Sequence, residues 1–154
     1  TTEEACHEIY HSLCEEGAAA GADIIFLETF MDIDMLVIAA EEAKKTGLPL
    51  FCCMSFERSG KTLYGASPEA MAEALSDIRP DAIGLNCSYG PADAIPVMQA
   101  FRAATDLPLI LKPNTADLGA FDFAKTLEPA ADIVSYMGAC CGSDPEYIRA
   151  LGSL

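Results

Sequence analysis

The sequence predicts an α/β fold of repeated strand–helix units around a parallel sheet. Three observations carry that expectation. Five short, nearly continuous apolar runs occupy residues 22–27, 49–54, 81–85, 107–111 and 131–135. Such runs suit strands buried on both faces of a parallel sheet. Helical patterns lie between the runs, and the runs recur every 24–32 residues, the length of a βα unit.

Taken in order, the chain opens on a helical stretch in which Cys6, Ile9, Tyr10, Leu13 and Gly17 form an apolar stripe at 100° per residue. The first strand follows at 22–27 and ends on Glu28. A helix over 33–46 is stopped by Gly47, and a second strand is expected over 49–54. Ser67-Pro68-Glu69 reads as an N-cap followed by proline in the first turn, opening a helix over 68–78. The third strand runs from 81 towards Cys87, and Pro91-Ala92-Asp93 opens a helix over 92–105. A fourth strand over 107–111, a less clear helix over 120–128 and a fifth strand over 131–135 complete one domain, residues 1–154. Five such units fit a small doubly wound sheet or part of a (β/α)8 barrel. Periodicity leaves both open. No Gly-x-Gly-x-x-Gly follows the first run and no Walker loop occurs, so nucleotide binding has little support.

Composition narrows the partners. Nine Lys+Arg stand against 24 Asp+Glu, a formal net charge of −15, with 51 % hydrophobic residues. A nucleic-acid backbone or an anionic membrane surface would call for clustered cations, so neither is expected. No run reaches the roughly 18 apolar residues of a membrane span, and Thr1-Thr2-Glu3-Glu4 does not read as a signal peptide. The expectation is a soluble, cytoplasmic protein. Seven cysteines without a secretion signal argue against a disulfide framework.

His7-Glu8-Ile9-Tyr10-His11 matches the H-E-x-x-H zinc-protease pattern. Both histidines fall beside Glu4, Glu8 and Glu15 on the polar side of the helix, and the chain has no third histidine. The pair therefore reads as a solvated helix face. Cys87, Cys140 and Cys141 are different, because they follow the third and fifth strands, on the face where parallel α/β folds place their active sites. Three thiolates there suit zinc, with a fourth position left open. Adjacent strand residues point to opposite faces. Cys140 and Cys141 therefore share one ion only if the strand has already broken, with Gly138 and Gly142 supplying the freedom. Buried thiols or a vicinal disulfide are the alternatives, and spacing alone leaves them open.

The motifs themselves are recognisable. Gly84-Leu85-Asn86-Cys87 with Gly90-Pro91 resembles the G-x-N-C-x-x-G-P segment of the homocysteine S-methyltransferase family. Gly138-Ala139-Cys140-Cys141-Gly142-Ser143 with Pro145-Glu146 is similar to its G-G-C-C-G-T-x-P-E segment, and Pro113-Asn114 to its P-N turn. Residues 59–65 and Ser67-Pro68-Glu69 are most similar to the cobalamin-dependent methionine synthase branch. The resemblance implies a TIM barrel of the (β/α)8 type, of which this chain supplies about five βα units, the later strands. It leaves out the family's acidic opening motif.

The resemblance further implies zinc held by Cys87, Cys140 and Cys141, activating homocysteine as thiolate for methyl transfer to give methionine. A non-catalytic zinc-binding partial barrel, or one part of a split methyltransferase, is the competing expectation. Asn114 is a further candidate oxygen ligand, or simply a turn residue after Pro113. Glu28 is a candidate for the substrate ammonium, or a charge favourable to the following helix. Methylcobalamin, delivered by a corrinoid partner, is one candidate methyl donor. The two open edges of a five-strand sheet would also suit homo-oligomerisation. Cys52 and Cys53 inside a strand, and Cys6 and Cys14 on a helix, are expected to pack.

Overall fold

The structure is a computed structural model and describes residues 2–154. Helix α1 (Glu3–Ala19) precedes β1 (Ile25–Phe30), α2 (Ile33–Lys45), β2 (Leu50–Met54), α3 (Pro68–Ala74) and β3 (Ala82–Cys87). Then come α4 (Pro91–Ala104), β4 (Leu109–Pro113), α5 (Ala120–Leu127), β5 (Tyr136–Met137) and α6 (Pro145–Leu151). The helix starts follow local chemistry. Thr2, Asp32, Ser67 and Asp144 each accept a first-turn backbone N–H, and Pro68, Pro91 and Pro145 stand where no N–H is needed.

All strand pairs are parallel, and the sheet order is β1-β2-β3-β4-β5. A doubly wound sheet reverses its strand order at a switch point. Here each strand lies beside the next without reversal, which is the winding of a barrel. The two faces of the sheet bear this out. Leu27, Cys52, Met54, Ile83, Leu85, Leu109 and Leu111 pack with the helices into one large core. The opposite face carries a small cluster of Cys53, Ala82 and Ile110 with Phe26 and Phe51, and no helix residue joins it. That second face lines the inside of the barrel. β1 and β5 each have one strand neighbour and so form the two open edges.

Three expectations need correction. The run 131–135 is not a strand. A 3-10 turn over Glu128–Ala130 continues into further turns, in which Ile133 and Val134 both donate to the Ala130 carbonyl. The strand is Tyr136–Met137, two residues long at the sheet edge. On α1 the buried side is centred on Cys6 and Cys14, while Ile9 and Leu13 are 53 % and 61 % exposed. The apolar stripe is therefore rotated from its expected position, because α1 packs sideways on α2. His7 and His11, 33 % and 54 % exposed, do lie on a partly solvated face, but not without partners. Their Nδ1 atoms lie 2.6 and 3.3 Å from the two carboxylate oxygens of Glu42, which is buried on α2 and also bound by Lys45.

Candidate metal centre

The chain departs from ordinary backbone geometry at the carboxyl ends of the strands. Among the described residues six non-glycines have left-handed φ, and all but Arg79 sit there: Thr29 near the end of β1, Cys87 and Ser88 at the end of β3, and Ala116 and Asp117 beyond β4. Each such residue costs about 1–3 kcal/mol and persists only where its surroundings impose it. The surroundings here are explicit. Ser55 Oγ donates to the Asn86 carbonyl and accepts from the Ser88 N–H, while Ser88 Oγ accepts from the Phe56 N–H. These bonds lace the end of β2 to that of β3 and turn Cys87 outward.

The loop after β5 is built differently. Gly138 and Cys140 still donate to Leu111 and Pro113 of β4, in ladder fashion. Cys141 then leaves the ladder. Its N–H goes to Asn114 Oδ1 (3.1 Å), and its carbonyl accepts from Thr115. Gly142 completes the reversal at φ +85°, and a Cβ there would lie 2.4 Å from Thr115 Oγ1. Asn114 Nδ2 donates to the Ser88 carbonyl at 2.8 Å, so this one side chain ties the β3 loop to the β5 loop.

Three sulfurs meet as a result. Cys87 Sγ lies 3.3 Å from Cys140 Sγ and 3.5 Å from Cys141 Sγ, with all three thiols free. Sulfurs around a tetrahedral zinc at about 2.3 Å per bond stand about 3.8 Å apart. A few tenths of an ångström of spreading would admit the ion. Burial, then hydrogen bonding to Cys140 and Cys141, pushes the Cys87 thiol up to about 12. Burial opposes ionisation of Cys140 too, but hydrogen bonds from Cys87, Cys141 and Asn86 hold it below the ordinary thiol value. Cys87 and Cys140 are therefore pushed in opposite directions, so a thiolate on Cys140 is supported by its neighbours while ionisation of Cys87 is resisted. Three thiol donors within 4.8 Å of one another fit zinc.

Glu28 lies on the inner face of β1 and pairs with Lys112 of β4. It does not cap α2, a role taken by Asp32. Asn86 is buried behind the cysteines. Its Oδ1 accepts from the Thr29 N–H at 2.8 Å, and its Nδ2 donates to Thr29 Oγ1 at 2.7 Å and faces Cys140 Sγ at 4.0 Å. A depression of about 400 Å³ reaches Cys87, Thr29 and Met31. A second, of about 330 Å³, reaches Glu28, Thr29 and Met31. Thr29 and Met31 border both. A larger open depression of about 950 Å³ lies at the other ends of the strands, around Arg79 and Leu107, and holds no cysteine or histidine. Cys6, Cys14, Cys52 and Cys53 are buried away from the cluster. Asn86 and Lys112 were missed in the sequence, although an amide and a cation at the ends of apolar strand runs are the signal that marks them.

Comparison with known proteins agrees with this arrangement. The family model described as homocysteine S-methyltransferase matches residues 1–154. Methionine synthase of Mycobacterium leprae (strain TN) is 28 % identical over 152 residues, covering 86 % of this chain and 13 % of that protein. The apo crystal structure of the homocysteine methyltransferase MmuM from Escherichia coli superposes with a TM-score of 0.85 at 23 % identity, over 99 % of this chain and 57 % of that one. The metallated form gives 0.84 at 22 % identity, over 99 % and 52 %. The chain thus spans about half the length of these solved barrels, and a small part of the methionine synthase.

Proposed function

This chain belongs to the homocysteine S-methyltransferase family. From that premise we propose that it forms the metal- and thiol-binding side of a barrel that methylates homocysteine to methionine. The observation that carries the reading is the meeting of Cys87, Cys140 and Cys141 sulfurs within 4.8 Å of one another. These three residues would hold zinc. Asn114, whose Oδ1 already sits at the Cys141 N–H, is the protein oxygen we assign to the fourth position before substrate arrives. Zinc bound there would supply Lewis-acid charge that keeps a substrate thiol, ordinarily near 8.5, ionised at neutral pH.

The rest falls to the chain's own residues. Ser55, Ser88 and Asn114 fix the loops so that the three thiols need only a few tenths of an ångström of spreading, and Glu28, in the depression beside Thr29 and Met31, receives the substrate ammonium. The homocysteine sulfur then attacks the methyl carbon, and the electron pair of the broken bond stays with the donor. Methylcobalamin on a corrinoid partner is the donor we assign, supported by the likeness to a methionine synthase.

X-ray absorption at the zinc edge tests the proposal on the barrel completed with the strands its relatives carry. Three sulfurs should become four on adding homocysteine, with release of a proton near neutral pH. An unchanged three-sulfur shell at saturating homocysteine would overturn it in favour of a structural metal site.

A further inference from the structure

Glu28 and Lys112 are the charged residues of the five strands, one of each sign, and they face each other inside the barrel. An ion pair in an apolar sheet contributes little to stability that a well-packed apolar pair would not match. This one is also not sealed. Glu28 is 37 % and Lys112 is 26 % exposed on the inner face of this part of the barrel, and Glu28 lines the depression beside Thr29 and Met31.

The lysine is held in place. Its Nζ lies 4.6 Å from the centre of the Phe26 ring, and its stem lies against Gly138, where a Cβ would come within 3.0 Å of Lys112 Cγ. In register, Lys112 pairs with Asn86, one step below the Cys87–Pro113 pair. Asn86 in turn spans from Thr29, the neighbour of Glu28, to Cys140. Both charges therefore stand one side chain away from the thiol cluster.

We propose that Lys112 contacts the substrate, and that Glu28 and Lys112 together form a clamp for the head-group of an α-amino acid. Glu28 takes the ammonium and Lys112 takes the carboxylate. This rests on the reading above that the substrate is an amino-acid thiol, and adds the group that selects the zwitterion. A zwitterion entering between the two side chains exchanges one ion pair for two and leaves no charge unmatched. A ligand with only the amine, or only the acid, separates Glu28 from Lys112 and strands one of them, so the pair discriminates by what it refuses.

The test uses the zinc-loaded complete barrel and three thiols: homocysteine, 3-aminopropane-1-thiol without the carboxylate, and 4-mercaptobutanoate without the amine. Wild type should bind homocysteine most tightly. Lys112→Met should weaken homocysteine by about 10–100-fold, bind 3-aminopropane-1-thiol as tightly or more tightly because no cation is then stranded, and keep its zinc. Lys112→Arg should retain most homocysteine binding. Homocysteine methyl ester, which needs no variant, should bind wild type about 10-fold or more weakly than homocysteine. Equal weakening of homocysteine and 3-aminopropane-1-thiol by Lys112→Met, or equal binding of the ester and the free acid, would overturn the proposal. Binding of none of these thiols by the wild type would overturn the substrate reading itself, and this one with it.

Discussion

Two pairs of adjacent cysteines, Cys52-Cys53 and Cys140-Cys141, share a composition and differ in everything else. Cys52 and Cys53 lie inside β2, so the pleat sends one into the helix-side core and the other into the barrel interior. Both are fully buried. Burial pushes Cys52 up to about 12 and Cys53 well above the ordinary thiol range. Cys140 and Cys141 stand where the strand has ended, with Gly142 reversing the chain and Asn114 holding the Cys141 amide. They reach the same third sulfur. Vicinal cysteines thus reach a common third sulfur only after the β period is broken, and the break is a hydrogen-bonding event as much as a sequence one.

The largest expected effect would break that comparison outright. Cys87→Ser should lower zinc affinity by at least about 100-fold, since even residues behind metal ligands are worth 10–100-fold. Cys52→Ser should keep its zinc and lose about 1–3 kcal/mol of stability from a hydroxyl in an apolar core. Elemental analysis and denaturant unfolding of both variants decide it. Loss of zinc from Cys52→Ser, or from His7→Ala, with retention in Cys87→Ser, would mean that the site is elsewhere.

Proton competition comes next. Zinc must displace protons from the cluster, including that of Cys87 at about 12, so affinity rises with pH and falls as acid restores the thiols. Chelator competition between about pH 6 and 8 should show about a tenfold gain per pH unit for each proton released. In the metal-free protein Cys140 should be alkylated first, and Cys52 and Cys53 only on unfolding. A flat pH profile would set the two pairs on the same footing.

Gly142→Ala sharpens the comparison at the break itself. The positive φ and the approach to Thr115 Oγ1 should weaken zinc by about tenfold or less, corresponding to roughly 1 kcal/mol, with sulfur ligation unchanged. The smallest effect concerns the Glu42 cluster, which separates the acid response of the metal centre from that of the rest of the fold. The Lys45 ammonium, acting against burial and helped by His7, holds the Glu42 carboxyl below the usual carboxylate range. A lowered folded value contributes stability above the unfolded value near 4.3, and that stability is lost as pH falls through the lower one. The protection of α1 amides relative to their intrinsic exchange rate should therefore fall below about pH 4. Glu42→Gln should flatten this step and leave zinc loading unchanged.

Much of this was legible in the residues. Four apolar runs lie where four strands lie, because strands of a parallel sheet are buried on both faces and leave an unbroken apolar trace. The run 131–135 misled for the same reason. Ile133 and Val134 are apolar because they pack against the core, and apolarity reports burial, not backbone conformation. Ile9 and Leu13 misled in the opposite direction, since a helical wheel cannot say which neighbour arrives. Glu28 was visible as a charge at a strand end. Its partner Lys112, 84 residues away, was not.

By itself, the sequence determined the alternation of strand and helix, the caps that start the helices, the family motifs and the placing of cysteines just past two strands. All of these are written within a few residues of chain. Tertiary structure alone decided that the strand order runs without reversal, that Cys87 meets sulfurs 53 and 54 residues away, and that His7 and His11 share Glu42. It also decided that Glu28 faces Lys112. Local patterns record how a residue bonds and whether it is buried. Which distant residue it meets depends on the packing of whole elements, where many weak contacts act together and no single position carries the answer.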